Sequence, residues 1–192
     1  MDNNQGDTMV LLDLIRQRRS VRRYDSRPVE RAVLEKCLEA ARLAPSACNA
    51  QPWRFVVADE TETRNRLAAA AFSGIYSGSA FAGRAPVIVT AVADRACFRS
   101  RAGSLVRRTS FHLIDMGICG EHFILQATEL GLGTCWIGWF DERGVKAVLG
   151  IPPNRRVEYL IAVGYPAGEI VPGAQKRLAL GEMSSFNFWR ND

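Results

Sequence analysis

Long apolar runs are missing from this chain: no stretch approaches the roughly 18 to 20 apolar residues that span a bilayer. The first seven residues are polar and acidic rather than basic and then apolar, so neither a membrane helix nor a secretory leader is expected. The cytoplasm is the expected compartment. Paired cysteines are missing as well. Cys37, Cys48, Cys97, Cys119 and Cys135 are odd in number, widely spaced and never in a C-x-x-C pair, which argues against a disulfide framework and against a zinc site. No metal is expected, and the thiols should be reduced and mostly packed. Only two histidines occur, and His112 and His122 lack H-E-x-x-H spacing, so they read as helix-surface or packed residues. A dinucleotide fingerprint is absent too. Its nearest approach, Gly131-Leu132-Gly133-Thr134-Cys135-Trp136, lacks the third glycine and follows a predicted helix instead of a strand. Acidic residues number 20 against 25 Lys and Arg, and the net charge of +5 permits an anionic partner: nucleic acid, an acidic membrane surface or a phosphorylated small molecule.

What is present suffices for one core. With 192 residues, 47% of them hydrophobic, the chain is long enough to bury a core and short enough to be a single domain, 1–192. Its most concentrated chemistry is Arg18-Arg19-Ser20-Val21-Arg22-Arg23-Tyr24. Four arginines and a hydroxyl fall within six residues, after an apolar-periodic segment and before a turn at 25–28. Guanidinium forks make charge-assisted, often bidentate bonds to phosphate oxygens, and a serine hydroxyl or backbone N–H can fill a further acceptor. A phosphate cradle is one reading of these residues. The other is a solvated basic helix end, favoured there by the helix dipole.

The rest of the chain alternates helices and strands. Leu11, Leu14 and Ile15 predict a helix over 8–18, capped by Asp7 or Thr8, that delivers the arginines at its end. A second helix opens at Pro28, buries Val33, Leu34, Cys37, Leu38 and Ala41, and stops near Leu43 because Pro45 disfavours αR before it. Between Pro45 and Pro52, a rigid loop presents Ser46, Asn49 and Gln51 as hydrogen-bonding groups, or serves only as a connector. A strand over 54–58 and a helix over 60–71 follow. The Gly- and Ser-rich stretch 72–84 suits a mobile loop over a ligand or a plain surface loop. The β-branched run over 86–93 reads as a central strand covered on both faces.

Next comes a segment with five arginines, Arg95, Arg99, Arg101, Arg107 and Arg108, the main candidate for contact with nucleic acid. The longest helix spans 110–130, with Ile114, Ile118, Ile124 and Leu125 apolar, and Gly117 and Gly120 on a neighbouring face. Glycine in a helix costs up to about 1 kcal/mol relative to alanine, so the pair suggests close approach of another backbone, as in a helix–helix contact across a dimer. A strand over 134–137, a short helix capped by Asp141 and ended by Gly150, and a last core strand over 157–164 complete the core. The tail, about 165–192, is irregular and apolar near its end, with Phe186, Phe188 and Trp189, and should dock on this or a neighbouring subunit.

Four features in this order resemble the FMN-dependent nitroreductase family over nearly the full length. They are R-R-S-V-R-R-Y after the first helix, A-P-S-A-C-N-A-Q-P-W after the second, D-x-G from Asp115 in the long helix that ends in G-L-G, and W-I-G before the last helix. The resemblance implies an α+β fold: a three-layer α-β-α architecture with a central mixed, mostly antiparallel sheet. It also implies an intertwined homodimer with two FMN sites at the interface, the tail reaching over the partner. Arg18 and Ser20 would hold the FMN phosphate, Arg19 acting mainly through its backbone, and Arg177 would close the same site. Arg22 would lie beside flavin N1 and the C2 carbonyl, and the Gly138 backbone N–H would face N5. Pro45, Ser46 and Asn49, from the other subunit, would contact the isoalloxazine edge or ribityl chain, and Trp136 and Ile137 would complete the cofactor site.

The activity implied is ping-pong hydride transfer from NADH or NADPH through flavin N5 to a nitroaromatic, a quinone or another small-molecule acceptor. Such chemistry belongs to the cofactor and needs no protein nucleophile or acid–base dyad. None stands out here. Two departures limit the parallel: the segment 93–108 is short where larger relatives insert helices, and 72–84 offers no clear residue for the flavin pyrimidine. The alternatives are a diverged flavoenzyme of the same family (dehalogenating, flavin-modifying or peptide-oxidising) and a non-catalytic nucleic-acid binder using 95–108.

Overall fold

The computed structural model describes residues 11–94, 109–169 and 176–189. The five-arginine segment from Arg95 to Arg108 therefore lies outside the described residues, as do the caps Asp7 and Thr8. At the centre is Val87–Ala93 (β2), whose seven residues are all buried, as a continuous β-branched run demands when both faces are covered. Trp53–Ala58 (β1) and Arg156–Gly164 (β4) pair with it on either side, and Gly133–Ile137 (β3) pairs with β4 at the edge, giving the order β1-β2-β4-β3. All three pairings are antiparallel, with one irregularity between Ala91 and Val92. The parallel component is a single bridge between Ser20 and Thr134.

Helices cover both faces, so the fold is α+β in three layers. On one face, Arg31–Arg42 (α2) and the long helix Phe111–Glu129 (α4) bury Leu34, Cys37, Met116, Phe123 and Ile124 against Val87, Val89 and Ile161. On the other, Thr61–Ala71 (α3) and Glu142–Leu149 (α5) bury Leu67, Ala71 and Val145 against Ile88, Leu160 and Ala162. Each large apolar side chain so buried contributes about 1.5–3 kcal/mol. No described helix is long and apolar enough to cross a membrane.

Several local expectations shift. The first helix is Leu11–Gln17 (α1) among the described residues and commits only Leu14 to the core, leaving Leu11 and Ile15 exposed. The second begins at Arg31 and not at Pro28, because Arg27 N–H turns back to Asp25 Oδ1 and Val29 is buried before the helix starts. In α4 the buried face runs through Met116, Cys119, Gly120, Phe123 and Ile124, while Ile114 is exposed. Gly120 meets no second helix: a Cβ there would overlap the Trp136 ring and stand 2.6 Å from Tyr159 Oη, both in this same chain. Gly117 faces open space.

The stretch 72–84 is not an irregular loop. Gly74–Arg84 winds as consecutive three-residue turns, with Ser79 and Ala82 buried. Asp141 caps α5 by accepting from Arg143 N and Gly144 N, as expected, and Gly150 ends it in the left-handed conformation. The tail over 176–189 carries a four-residue helix, Leu180–Met183 (α6), and its Leu178, Phe186, Phe188 and Trp189 are exposed, so it does not dock on its own core.

Candidate functional site

An edge strand presents unpaired backbone groups, and β3 is an edge strand. The residues after α1 cover it. Val21 N–H donates to the Thr134 carbonyl at 2.8 Å, Asp25 N–H donates to that of Tyr165 at 2.8 Å, and Ala167 N–H donates to that of Arg23 at 3.0 Å. Gly133 makes the approach possible, since a Cβ there would stand 2.7 Å from Val21 Cβ. Tyr24 pins the segment from below: its hydroxyl donates to the Val21 carbonyl at 2.6 Å and lies 3.4 Å from that of Ala162, and burial raises its pKa well above the ordinary phenol value. The arginine-rich stretch thus leaves the helix and is tied to β3 by an isolated bridge at Ser20 and to the chain beyond β4 by another at Tyr24.

This lay sorts its side chains. Ser20 and Arg22 are exposed, and Arg18 is half-buried. Burial pushes the Cys135 thiol pKa up, and the positive charges of Arg22 and Arg18 act in the opposite direction. Neither forms an ion pair with a carboxylate among the described residues. The Arg22 guanidinium carbon lies 5.7 Å from the centroid of the Phe81 ring, a cation–π contact that orients it. Arg19 turns back, donating to the Arg16 and Arg18 carbonyls.

β3 continues into the other expected residues. Ile137 is buried, Trp136 packs edge-on against Tyr159 with centroids 4.4 Å apart, and Gly138 is exposed at the strand's end. Beyond it Trp139 donates its indole N–H to the Ile75 carbonyl at 2.9 Å and packs on Tyr76 with centroids 5.2 Å apart. Tyr76 thus meets Trp139 beside Gly138, and Phe81 meets Arg22. The aromatics of 72–84 suit a loop over a ligand as well as a surface loop; Trp139 carries no such signal in the sequence.

The loop with Pro45, Ser46 and Asn49 is fixed elsewhere. Ala47 N–H donates to Asp115 Oδ1 of α4 at 3.0 Å, and Ser46 Oγ accepts from Gln51 N at 2.9 Å. None of the loop's hydrogen bonds reaches residues 18–24 among the described residues. Arg177 likewise stands in the exposed tail, donating to the Lys176 carbonyl at 3.2 Å, and no described contact brings it to Arg18 or Ser20. In one copy of the chain Ser20 bridges β3, which carries Trp136 and Ile137 and ends at Gly138, and no hydrogen bond among the described residues joins Pro45, Ser46 or Asn49 to residues 18–24. His112 is half-buried with Nε2 3.7 Å from Glu158 Oε1, a packed residue and not part of this cluster.

The donor set suits a phosphate and a flat, electron-accepting ring: guanidinium groups without a carboxylate partner among the described residues and an exposed hydroxyl at one end of an edge strand, an exposed glycine backbone at the other. Known proteins share both the sequence and the fold. A protein of Thermus thermophilus named NADH dehydrogenase is 33% identical, covering 81% of this chain and 86% of its own length. A solved nitroreductase family protein from Clostridium novyi superposes with a TM-score of 0.73 at 33% identity, covering 82% of this chain and 87% of its own. An FMN-dependent nitroreductase from Clostridium difficile superposes with a TM-score of 0.69 at 27% identity, covering 94% and 99%. The family profile described as the nitroreductase family matches residues 15–165, a span that runs from α1 across the cradle, the loop and β3 to the end of β4, and the chain belongs to that family.

Proposed function

We propose that this protein is an FMN-dependent NAD(P)H oxidoreductase working as a homodimer. The observation that carries the reading is the attachment of the arginine-rich segment to β3: Ser20 bridges Thr134, Ser20 and Arg22 stand exposed, Arg18 and Arg22 have no carboxylate partner among the described residues, and the strand they lie beside ends in exposed Gly138. Arg18 and the Ser20 hydroxyl would hold the FMN phosphate, with Arg19 contributing its backbone. Arg22, held over Phe81, would set positive charge beside flavin N1 and the C2 carbonyl, where charge accumulates on reduction. Gly138 would offer its backbone N–H to N5, with Trp136 and Ile137 lining the ring. When bound, FMN would supply the redox chemistry, taking hydride from NADH or NADPH and passing electrons to a nitroaromatic, quinone or other small acceptor.

The remaining site residues point to a second copy. Pro45, Ser46 and Asn49 are tied to α4 and Arg177 to the exposed tail, so they would complete the partner's cofactor site. The apolar residues on the outside agree with this: Leu11, Ile15, Leu113 and Ile114 on α1 and α4, and Leu178, Phe186, Phe188 and Trp189 on the tail, are all exposed.

The test is the visible spectrum of the purified protein, release and identification of its chromophore, anaerobic addition of NADH and NADPH, and mass in solution. A yellow dimer that releases FMN and bleaches with one nucleotide supports the reading and names the donor. Yellow protein that resists both nucleotides refutes the NAD(P)H activity, and colourless protein that takes up no added FMN refutes the cofactor site. A monomer with full FMN occupancy refutes the shared site.

A further inference from the structure

Asp115 has no part in the donor set above, yet it is the one carboxylate among the buried polar residues of the described chain. It sits in α4 with 3% exposure, on a face otherwise built from Met116, Cys119, Phe123 and Ile124. Burying a carboxylate is costly unless it is paired and hydrogen-bonded. No described ion pair includes Asp115, Oδ2 has no hydrogen-bond partner, and Oδ1 has one, the Ala47 N–H at 3.0 Å. Stability of the helix therefore does not account for the carboxylate. Its single bond points to the loop.

That loop is under backbone tension. Cys48, Asn49 and Gln51 have φ of 53°, 52° and 45°, left-handed values that are uncommon for cysteine and glutamine and easier for asparagine. Bonds within the loop hold its shape: Ser46 Oγ accepts from Gln51 N, Gln51 Nε2 donates to Asn49 Oδ1 at 3.0 Å, and Asn49 N–H and Ala50 N–H donate to the Ser46 and Ala47 carbonyls. Two side-chain bonds among the described residues tie that shape to the rest of the fold, a 3.5 Å bond from the Arg54 guanidinium to the Gln51 carbonyl at the loop's far end and the shorter bond from Ala47 N–H to Asp115 beside Ser46. Asp115 is the buried anchor nearest Ser46, and it holds that end of the loop at one height and in one orientation.

We propose that Asp115 is a positioning residue that presents Ser46 and Asn49 to the cofactor bound at the partner's cradle, an inference that rests on the FMN reading above. The carboxylate acts on the flavin through the loop and does not touch it. Its unpartnered Oδ2 gives the inference a signature. Removing the carboxylate removes a buried charge as well as a bond, so the apoprotein's stability should change little while flavin binding weakens.

The experiment compares the parent protein with Asp115→Ala, Asp115→Asn and Ser46→Ala. It measures FMN dissociation constants of the apoproteins, their apparent Tm, and amide hydrogen exchange over 44–52. Loss of a hydrogen bond to a charged group predicts an FMN Kd about tenfold weaker or more in Asp115→Ala. Asp115→Asn keeps an acceptor oxygen and should recover to within about threefold of the parent. Exchange over 44–52 should quicken in Asp115→Ala while exchange in α4 stays unchanged, and Ser46→Ala should weaken FMN without changing exchange in α4. Parental Kd and parental loop exchange in Asp115→Ala would overturn the inference. So would a weakened Kd that tracks a general fall in Tm and faster exchange throughout α4. If Asp115→Ala does not fold, Asp115→Asn carries the test: failure to stay within about threefold of the parent overturns the acceptor role. A parent that binds no FMN refutes the functional reading itself, whereas a parent that binds FMN beside an unaffected Asp115→Ala refutes only the role of Asp115.

Discussion

Gly133→Ala isolates the contact on which the whole cradle rests. A Cβ at position 133 would meet Val21 Cβ and Cγ2 at 2.7 Å and Cγ1 at 2.8 Å, distances that side-chain rotation cannot relieve because Cβ is fixed to the backbone. The two chains must separate, and the bond that joins them there is Val21 N–H to the Thr134 carbonyl at 2.8 Å. Overpacking costs about 1–3 kcal/mol and the weakened backbone bond about 0.5–1.5 kcal/mol, so we take about 3 kcal/mol as the central expectation. For a chain of this size that lowers Tm by about 6–12 °C. Ser20 and Arg22 flank Val21 and move with it, so FMN binding should weaken at least about tenfold, about 1.4 kcal/mol. Thermal unfolding of the apoprotein and FMN titration read the two effects. The design includes a control on geometry. Val21→Ala leaves the Cβ contact in place and should not rescue Gly133→Ala, whereas Val21→Gly removes it and should make the double variant less destabilised than the sum of the singles. Parental Tm and FMN affinity in Gly133→Ala, or rescue by Val21→Ala equal to that by Val21→Gly, would refute the reasoning.

Thr90→Val should raise Tm by about 2–4 °C, because Thr90 is fully buried in β2, its hydroxyl has no partner, and removing an unpaired polar group of this kind gains about 1 kcal/mol; a fall in Tm would show that the hydroxyl is satisfied. Arg22→Ala should retain flavin and lower its reduction potential, since a fixed positive charge near N1 favours the reduced form; an unchanged potential would place Arg22 elsewhere. For Glu142, burial works to raise the pKa, but the Lys146 ammonium at 2.7 Å and the Val157 N–H at 3.0 Å outweigh it and the net shift is downward. A carboxylate depressed in the folded state stabilises above its unfolded pKa and loses that contribution as pH falls through the folded value. Glu142→Gln should therefore lower Tm at neutral pH and flatten the acid limb of a Tm–pH profile below the ordinary carboxylate range; an unchanged profile would refute the link.

Features fixed by neighbours in sequence were legible and features fixed at a distance were not. The β-branched run of β2, the cap at Asp141 and the stop at Gly150 are local, and each stands where the pattern puts it. The partner of Gly120 could not be read, because Trp136 and Tyr159 reach it from β3 and β4. Composition misled at 74–84: Gly, Ser and Ala read as turn residues, yet small side chains also allow tight packing, and a Cβ on Gly83 would come 2.9 Å from Ala68 Cβ. Periodicity misled at Ile114, which the helical pattern assigns to an apolar face and the structure leaves exposed. In the site, the order of motifs marked Arg18, Ser20, Arg22 and Gly138, but nothing in the sequence gave Phe81 as the support of Arg22. Asp115 had a visible signal, the D-x-G in the long helix, without a sign that its carboxylate would be buried.

The placement of the arginines follows from sheet topology before any cofactor is considered. β3 is short and lies at an edge, and an uncovered edge invites pairing with other chains. Residues 18–24 close it using one backbone bond at Val21, one bridge at Ser20 and a tyrosine pinned beneath. Val21 packs against Gly133, and Ser20 and Arg22 on either side of it are exposed, where a ligand can reach them. Had the segment continued as helix, its arginines would have spread around an axis, and the solvated basic helix end would be the better reading. The bridge at Ser20 and the bond at Val21 instead tie the segment to the edge, so the contact that covers the edge also fixes where Ser20 and Arg22 stand.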